Sequence, residues 1–201
     1  MKRTVFFVLI TLIIGDLNAQ VRYGINPESV LSIQGTSNIH DWTSKANTIN
    51  GEFSLMKAAG DRNLPKNGKL VDKLRLEVPV KSIESGRGPV MDGKTYDALK
   101  SEEFPNIIFV VKENNITGIT DNATGKFGLS VTGDLTIAGS TKPVTINVSS
   151  QRIQGNSFRF EGSYSLNMTE YDIEPPTALF GQITTGEEVT IVFNILIDVM
   201  K

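Results

Sequence analysis

The sequence predicts an all-β domain of about eight antiparallel strands with one short helix. Two observations lead to this prediction. Apolar and polar residues alternate in one run after another, which is typical of strands with one buried face. Turn-forming Gly, Asn, Asp and Pro residues separate these runs, and 201 residues are enough for one domain with a full core.

Eight runs have the strand pattern, and one stretch has the helical pattern. Residues 92–100 repeat apolar positions at helical spacing, and Pro105 prevents a longer helix. Residues 57–71 and 169–186 are longer connections. No repeat or linker divides the chain, which predicts a single domain. The strand-like runs cover residues 30–34, 48–55, 74–80, 107–112, 127–137, 144–149, 158–167 and 189–199.

The clearest hairpin is the segment GDLTIAGSTKPVTINVS at residues 133–149. Leu135 and Ile137 alternate with polar residues before the turn, and Val144 and Ile146 do so after it. We expect the turn at residues 139–143. Pro143 is expected at the start of the second strand, because proline cannot donate to a strand ladder.

Alternation alone leaves open whether the sheet closes into a barrel or packs as a sandwich. Gly133 and Gly162 occupy apolar-phase positions in mid-strand, where a missing side chain would leave room for a cavity. The same glycines could instead mark bends that curl the sheet. The residues themselves do not decide between these alternatives.

Four motifs, in order along the chain, resemble the YceI-like family. They are IQGTSNIHDW (residues 33–42), GEF (51–53), MDGKTYDALKSEEFPNIIF (91–109) and GDLTIAGSTKPV, where the hairpin begins. The resemblance implies an eight-stranded, antiparallel, lipocalin-like β-barrel over residues 20–201. It also implies a periplasmic protein that binds isoprenoid-type lipids. One position departs from the family pattern, because Ala138 stands where a second histidine is usual.

Residues 1–19 have the features of a signal peptide. Lys2 and Arg3 form a basic start, an apolar run follows, and a small-residue site precedes Gln20. The apolar run is shorter than the roughly 20 residues that a membrane-spanning helix needs. A retained N-terminal anchor is the alternative. We expect a cleaved signal peptide and a periplasmic or secreted domain.

Charge and composition exclude several partners. After residue 19 the chain carries 18 of its 20 basic and 21 of its 22 acidic residues, so its net charge is near −3. Without a Lys/Arg cluster, this balance argues against nucleic acid or an anionic membrane surface as a partner. One histidine and no cysteine are too few for the usual metal ligands. We expect no cofactor, no metal and no stable membrane insertion.

His40, the single histidine, is the most reactive candidate side chain. Asp41 follows it directly, but neighbouring residues on a strand point to opposite faces, so Asp41 is poorly placed to orient His40. Ser37 lacks the G-x-S-x-G context of a nucleophile. We expect His40 to form hydrogen bonds in a turn near a barrel mouth. Trp42 either covers one end of the barrel or faces a ligand.

The phase of each strand predicts which side chains line the barrel. In the 169–186 connection, Leu179 and Phe180 are apolar without a strand or helix period, and we expect them to form a lid over one mouth. A loop packed on the outer wall is the alternative. The remaining predicted ligand-binding residues are Trp42, Leu76, Val78, Phe109, Val131, Leu135, Phe160, Tyr164, Phe193 and Ile195.

Taken with the resemblance, these features predict an exported, non-catalytic protein that holds a long apolar lipid inside the barrel. The resemblance implies a polyisoprenoid or a quinone-like molecule. Two alternatives stay open. A packed β-sandwich would serve as an interaction or structural module of the cell envelope. A periplasmic enzyme would use His40 with Ser37 or Asp41, and these groups would have to converge in a cleft.

Overall fold

The computed structural model describes residues 21–56, 67–121, 123–153 and 156–200. The predicted signal peptide and residues 57–66 of the first long connection lie outside the described residues. One α-helix, α1 (Pro89–Ala98), lies between β6 and β7. The strands in chain order are β1 (Val21–Ile25), β2 (Val30–Ser37), β3 (Trp42–Ala46), β4 (Asn50–Leu55), β5 (Val71–Pro79), β6 (Ile83–Glu84), β7 (Asn106–Asp121), β8 (Lys126–Ile137), β9 (Ser140–Arg152), β10 (Phe158–Asn167), β11 (Thr177–Ala178) and β12 (Ile183–Val199).

The sheet closes into a barrel of eight antiparallel walls. β1 and β2 follow each other along the first wall, β3 and β4 along the second, and β5 and β6 along the third. β7, β8, β9, β10 and β12 form the other five. β12 closes the barrel, because it pairs with β10 on one side and with both β1 and β2 on the other. The predicted eight-stranded antiparallel barrel with one helix is confirmed, and the sandwich alternative is wrong.

Strand β8 shows how the sequence sets the two faces of the wall. Its even and odd positions alternate between buried and half-buried along most of its length. Phe127, Leu129 and Val131 face the interior because successive side chains on a strand point to opposite sides. β7 and β12 extend well beyond the predicted apolar runs, since their polar residues continue the ladders with β8 and β2.

The turn between β8 and β9 is tighter than predicted. Ile137 pairs with Ser140, so Ala138 and Gly139 alone form the turn, instead of residues 139–143. Both turn residues have positive φ, 49° and 86°, as in the two-residue turns that match the twist of paired strands. Pro143 therefore lies inside β9, opposite Asp134, and not at the start of the strand.

Helix α1 covers one end of the barrel, which we call the α1 end; the opposite end is the far end. It begins at Pro89 and ends at Ala98, so its position is shifted from the predicted residues 92–100. Proline at the first helical position is preorganised for this start. Side-chain hydrogen bonds attach the helix, among them those from the Lys94 Nζ to the Thr177 carbonyl (2.8 Å), from the Tyr96 hydroxyl to the Lys81 carbonyl (3.1 Å) and from the Ser85 hydroxyl to Asp92 Oδ1 (2.6 Å).

Two clusters of buried side chains lie inside the barrel, one near each end. The far-end cluster is built around Tyr23, Phe127 and Phe158, each at most 1% exposed. The α1-end cluster contains Met168, Tyr171 and other residues from the segment that follows β10. In the part of the chain that the structure describes, no helix has the length and apolar character needed to cross a membrane.

The phase assignment makes a stability prediction. Phe160 is 7% exposed and faces inward, so Phe160→Asp buries an unpaired charge and should lower the free energy of unfolding by more than about 4 kcal/mol. Thr132 faces outward, with its hydroxyl 2.9 Å from that of Thr145 and with Glu113 opposite on β7, so Thr132→Asp should cost no more than about 1 kcal/mol. Urea unfolding of both variants measures the difference. Equal tolerance of the two changes would show that the inward phase is wrong.

A candidate binding cavity inside the barrel

An apolar lumen runs through the interior of the barrel, and members of both buried clusters contribute to its lining. Side chains from all eight walls line it, and Tyr164 is the one lining residue whose side chain carries a polar atom. The lumen and its opening contain about 1090 Å³ of atom-free space. Within that space, a sphere the size of a water molecule can move its centre through about 130 Å³. The free space is therefore narrow.

The lumen is also long. Leu129, Val131 and Leu135 line it along β8, and a rise of roughly 3.4 Å per residue gives about 20 Å along that strand. Several inward-facing residues, among them Ile33 and Ile191, are only half-buried. Atoms that border empty space lack partners for dispersion contacts, so the lining would gain contacts from an apolar occupant.

Two glycines help to keep the lumen open. Gly162 pairs directly with Phe193, and a Cβ on Gly162 would lie 2.7 Å from the Phe193 ring. A Cβ on Gly133 would also lie 2.7 Å from the Phe109 ring, although Gly133 pairs with Val111 and its Cβ would come still closer to the Val110 carbonyl oxygen. Each ring thus lies against the backbone of the neighbouring strand, in the place of a missing side chain. The glycines leave no hole of their own, but they let two large lining residues lie close to the wall.

Buried side chains close both ends of the barrel. At the far end the Tyr23 and Phe158 rings meet edge-on, with centroids 5.9 Å apart. At the α1 end the chain leaves β10 in a 3₁₀ turn (Met168–Tyr171), and Tyr171 and Ile173 are 1% and 3% exposed. The Asn167 side chain accepts the Thr169 N–H (2.9 Å) and fixes the start of this turn. The described residues thus pack buried side chains at both ends of the barrel.

The few polar groups near the lumen are neutral. Burial raises the pKa of the Tyr171 hydroxyl to about 12, with smaller contributions from Tyr164 and Glu170. Burial also raises the pKa of Tyr164. The Tyr171 hydroxyl has no hydrogen-bond partner in the described part of the chain. None of the described residues that line the lumen is charged, so the arrangement suits an apolar chain.

The comparisons with known proteins agree with this architecture. The family model described as a YceI-like domain matches residues 28–197. The chain belongs to the YceI-like family. No curated protein sequence matches it.

Solved structures with the same YceI-like fold are distant in sequence. BcnA from Burkholderia cenocepacia is 17% identical, with a TM-score of 0.63, over 86% of this chain and 98% of BcnA. A polyisoprenoid-binding domain from Saccharophagus degradans, implicated in plant cell wall breakdown, is 13% identical, with a TM-score of 0.65, over 90% and 99%. The YCEI protein of Campylobacter jejuni is 13% identical, with a TM-score of 0.55, over 79% and 84%.

Nine of the twelve predicted ligand-binding residues of this YceI-like chain lie on the wall of the lumen. They share the inward phase of long, regular strands, which is why alternation located them. That they contact a ligand stays a prediction. The nine are Leu76, Val78, Phe109, Val131, Leu135, Phe160, Tyr164, Phe193 and Ile195.

Trp42 does not line the lumen. Its indole lies over Gly35, the residue with which it pairs, and packs at the edge of the α1-end cluster. The indole N–H donates to the Thr36 carbonyl (3.0 Å). Of the two expectations for Trp42, the structure places it at the end of the barrel.

Leu179 and Phe180 do not form a lid in this structure. They are 64% and 108% exposed, in the turn between β11 and β12, and both have positive φ (49° and 55°). Ala178 pairs with Ile183, so the two exposed residues form the tip of a short hairpin. The α1 end is covered instead by Met168, Tyr171 and Ile173, earlier in the same connection.

The candidate catalytic groups are occupied in the turn between β2 and β3. The Ser37 hydroxyl donates to the main-chain carbonyl of His40 (2.7 Å), not to its ring. The His40 Nε2 lies 2.7 Å from Arg87 Nη1 and is exposed. Ala138, where the family usually has a second histidine, is buried in the β8–β9 turn.

Sequence reasoning missed the other residues of the lining. Some lie in runs that were recognised as strands but were not assigned to the wall, and period-two alternation could have located those. Ile49 precedes β4 but shares the phase of Phe53 in the predicted run over residues 48–55, whereas Val71 fell in the predicted connection over residues 57–71, where alternation gave no signal. The missed lining residues are Leu31, Ile33, Ile49, Phe53, Val71, Leu74, Ile107, Leu129, Ile146, Val148 and Ile191.

The contact between Gly162 and Phe193 can be tested by stability. Gly162 does not have positive φ, so Gly162→Ala brings no backbone strain; its Cβ would overlap the Phe193 ring. We expect a loss of about 1–3 kcal/mol in the free energy of unfolding, typical of overpacking. Adding Phe193→Leu should recover part of that loss. Two results would contradict this contact. One is a Gly162→Ala variant that is more stable than the parent. The other is a double variant whose loss of unfolding free energy equals the sum of the two single losses.

Proposed function

We propose that this YceI-like protein is an exported, non-catalytic carrier that holds a long apolar lipid in the lumen. The observation that carries the proposal is the lumen itself, narrow, about 20 Å long by strand rise, and lined by apolar side chains that are incompletely packed. Each 100 Å² of apolar surface that an occupant removes from water contributes about 2.5 kcal/mol. A flexible hydrocarbon tail fits such a space with few polar contacts.

The class of lipid follows from shape and from the comparisons. The Saccharophagus degradans domain is named for polyisoprenoid binding and has the same fold, which supports an isoprenoid chain as the occupant. A quinone-like molecule with an isoprenoid tail is the second form of the same proposal. The absence of charged groups from the lining supports a ligand whose buried part is a hydrocarbon.

The non-catalytic part of the proposal rests on the side chains that an enzyme would need. The Ser37 hydroxyl and the His40 ring are not hydrogen-bonded to each other, and both lie on the outside of the β2–β3 turn. A nucleophile and its base must lie within hydrogen-bond reach of each other and of a bound substrate. Ser37 instead stabilises the turn.

The proposal is tested by extracting the purified protein with organic solvent and analysing the extract by mass spectrometry. We expect about one long apolar molecule per protein from the parent. Ile191→Trp should fill the lumen and reduce this yield at least about tenfold. Val192→Trp is the matched control, since the neighbouring residue points to the outer face. Repeated lipid-free preparations of the parent, or equal yields from both variants, would contradict the carrier function.

Export is a separate part of the proposal. The basic start, apolar run and small residues of residues 1–19 support cleavage before Gln20 and a periplasmic or secreted location. N-terminal sequencing of the protein recovered from a periplasmic or culture-medium fraction should begin at Gln20. Recovery of the intact chain, starting at Met1, from the membrane fraction would instead indicate a retained anchor.

A further inference from the structure

The sheet of the barrel is interrupted between the first and the second wall. β1 pairs with β4 over residues 21–23 and 53–55, and β2 pairs with β3 over residues 31–35 and 42–46. All of these residues are described, and no ladder pair joins residues 24–30 to residues 47–52. Between the two paired blocks the two walls are not hydrogen-bonded to each other as strands.

The backbone at this interruption is held by other neighbours. On the first wall, the Asn26 N–H donates to the Leu196 carbonyl of β12 (2.9 Å). On the second wall, the Asn47 N–H donates to the Ser82 carbonyl in the third wall (2.9 Å). At these positions, each of the two walls forms its hydrogen bond with its other neighbour and not across the gap. Side chains, and not a ladder, fill the space between them.

Ile49 is the side chain that separates the lumen from solvent at this point. It lines the lumen, and it also lines a pocket on the outer surface. The Ile25 and Leu76 side chains pack over Gly51, since a Cβ there would lie 2.9 Å from each of them. Ile25 and Ile49 are both half-buried and both line the outer pocket. The barrier is therefore about one side chain thick.

The outer pocket is polar, in contrast to the lumen. It contains the side chains of Asn50, Glu52, Arg75 and Glu77, and the Arg75 Nε lies 2.6 Å from Glu77 Oε1. Two carboxylates against one guanidinium give the pocket a net negative charge. Such a pocket repels a phosphate or carboxylate but offers both donors and acceptors to an uncharged hydroxyl or carbonyl.

We propose that lipid enters and leaves the lumen sideways, at Ile49, and that the uncharged polar end of the lipid rests in the outer pocket. Tyr23, Phe158 and Tyr171, which pack at the two ends, are at most 1% exposed, whereas Ile49 and Ile25 are half-buried. A side chain in a segment without ladder bonds can move at lower cost than a packed cluster can open. This proposal rests on the proposed carrier function and adds the route and the head-group chemistry.

The route is tested by the transfer of a pyrene-labelled isoprenoid alcohol between the protein and phosphatidylcholine vesicles. Ile49→Ala should accelerate loading and release alike, each by about tenfold relative to Ile146→Ala, which removes the same kind of lining contact. Ile146→Ala is the matched control, because Ile146 is also a half-buried lining isoleucine but lies on the opposite wall. Equal rates for the two variants would overturn the lateral route.

The head-group site is tested with the same alcohol and its monophosphate. The parent should prefer the alcohol by at least about tenfold, and the double variant Glu52→Gln/Glu77→Gln should reduce that preference to about threefold or less. An unchanged preference would overturn the assignment of the pocket. If the parent takes up neither probe, the carrier function itself is contradicted. If the parent takes up the probes normally but the variants at Ile49 and in the outer pocket behave like the parent, only the route and the head-group site are contradicted.

Discussion

The pairing of β12 on both of its sides is the interaction on which the rest of the structure depends. One edge of β12 bonds to β10 and the other to β1 and β2, so the sheet has no free edge at this seam. Because the sheet is closed, one of its faces forms the barrel interior, and the alternation along each strand places the apolar side chains of all eight walls on that face. Those side chains are enough to pack both ends but leave the middle of the barrel unfilled.

The open middle is maintained by large residues that lie against small ones. The rings of Phe193 and Phe109 lie over Gly162 and Gly133, so two bulky side chains line the lumen without filling it. Incomplete packing lowers stability, because lining atoms lose dispersion contacts. A bound hydrocarbon chain would restore those contacts, which links the packing of the barrel to the proposed cargo. The interruption beside Ile49 then provides a route that leaves both packed ends intact.

Period-two alternation predicted most of the fold and nine of the lining residues. In regular strands such as β8 and β10, every second side chain points inward, and the apolar residues occupy those positions. Alternation did not locate the turn at Ala138-Gly139, where a non-glycine residue adopts positive φ. The lid expected at Leu179 and Phe180 was inferred from the length of the connection and its apolar side chains, which give no information about the direction in which a loop folds. Barrel closure and the gap at Ile49 depend on pairing between distant segments, which no local pattern encodes.

The central claim is that the barrel encloses a lumen occupied by a hydrocarbon chain. Its most direct test is a crystal structure of the protein purified from cells without added lipid. We expect continuous, tube-shaped electron density along β8 from Leu129 to Leu135, with the Phe193 ring lying on Gly162 and the density reaching the wall at Ile49. A lumen closed by inward rotation of Phe109 and Phe193, or one that contains only ordered water, would contradict the claim.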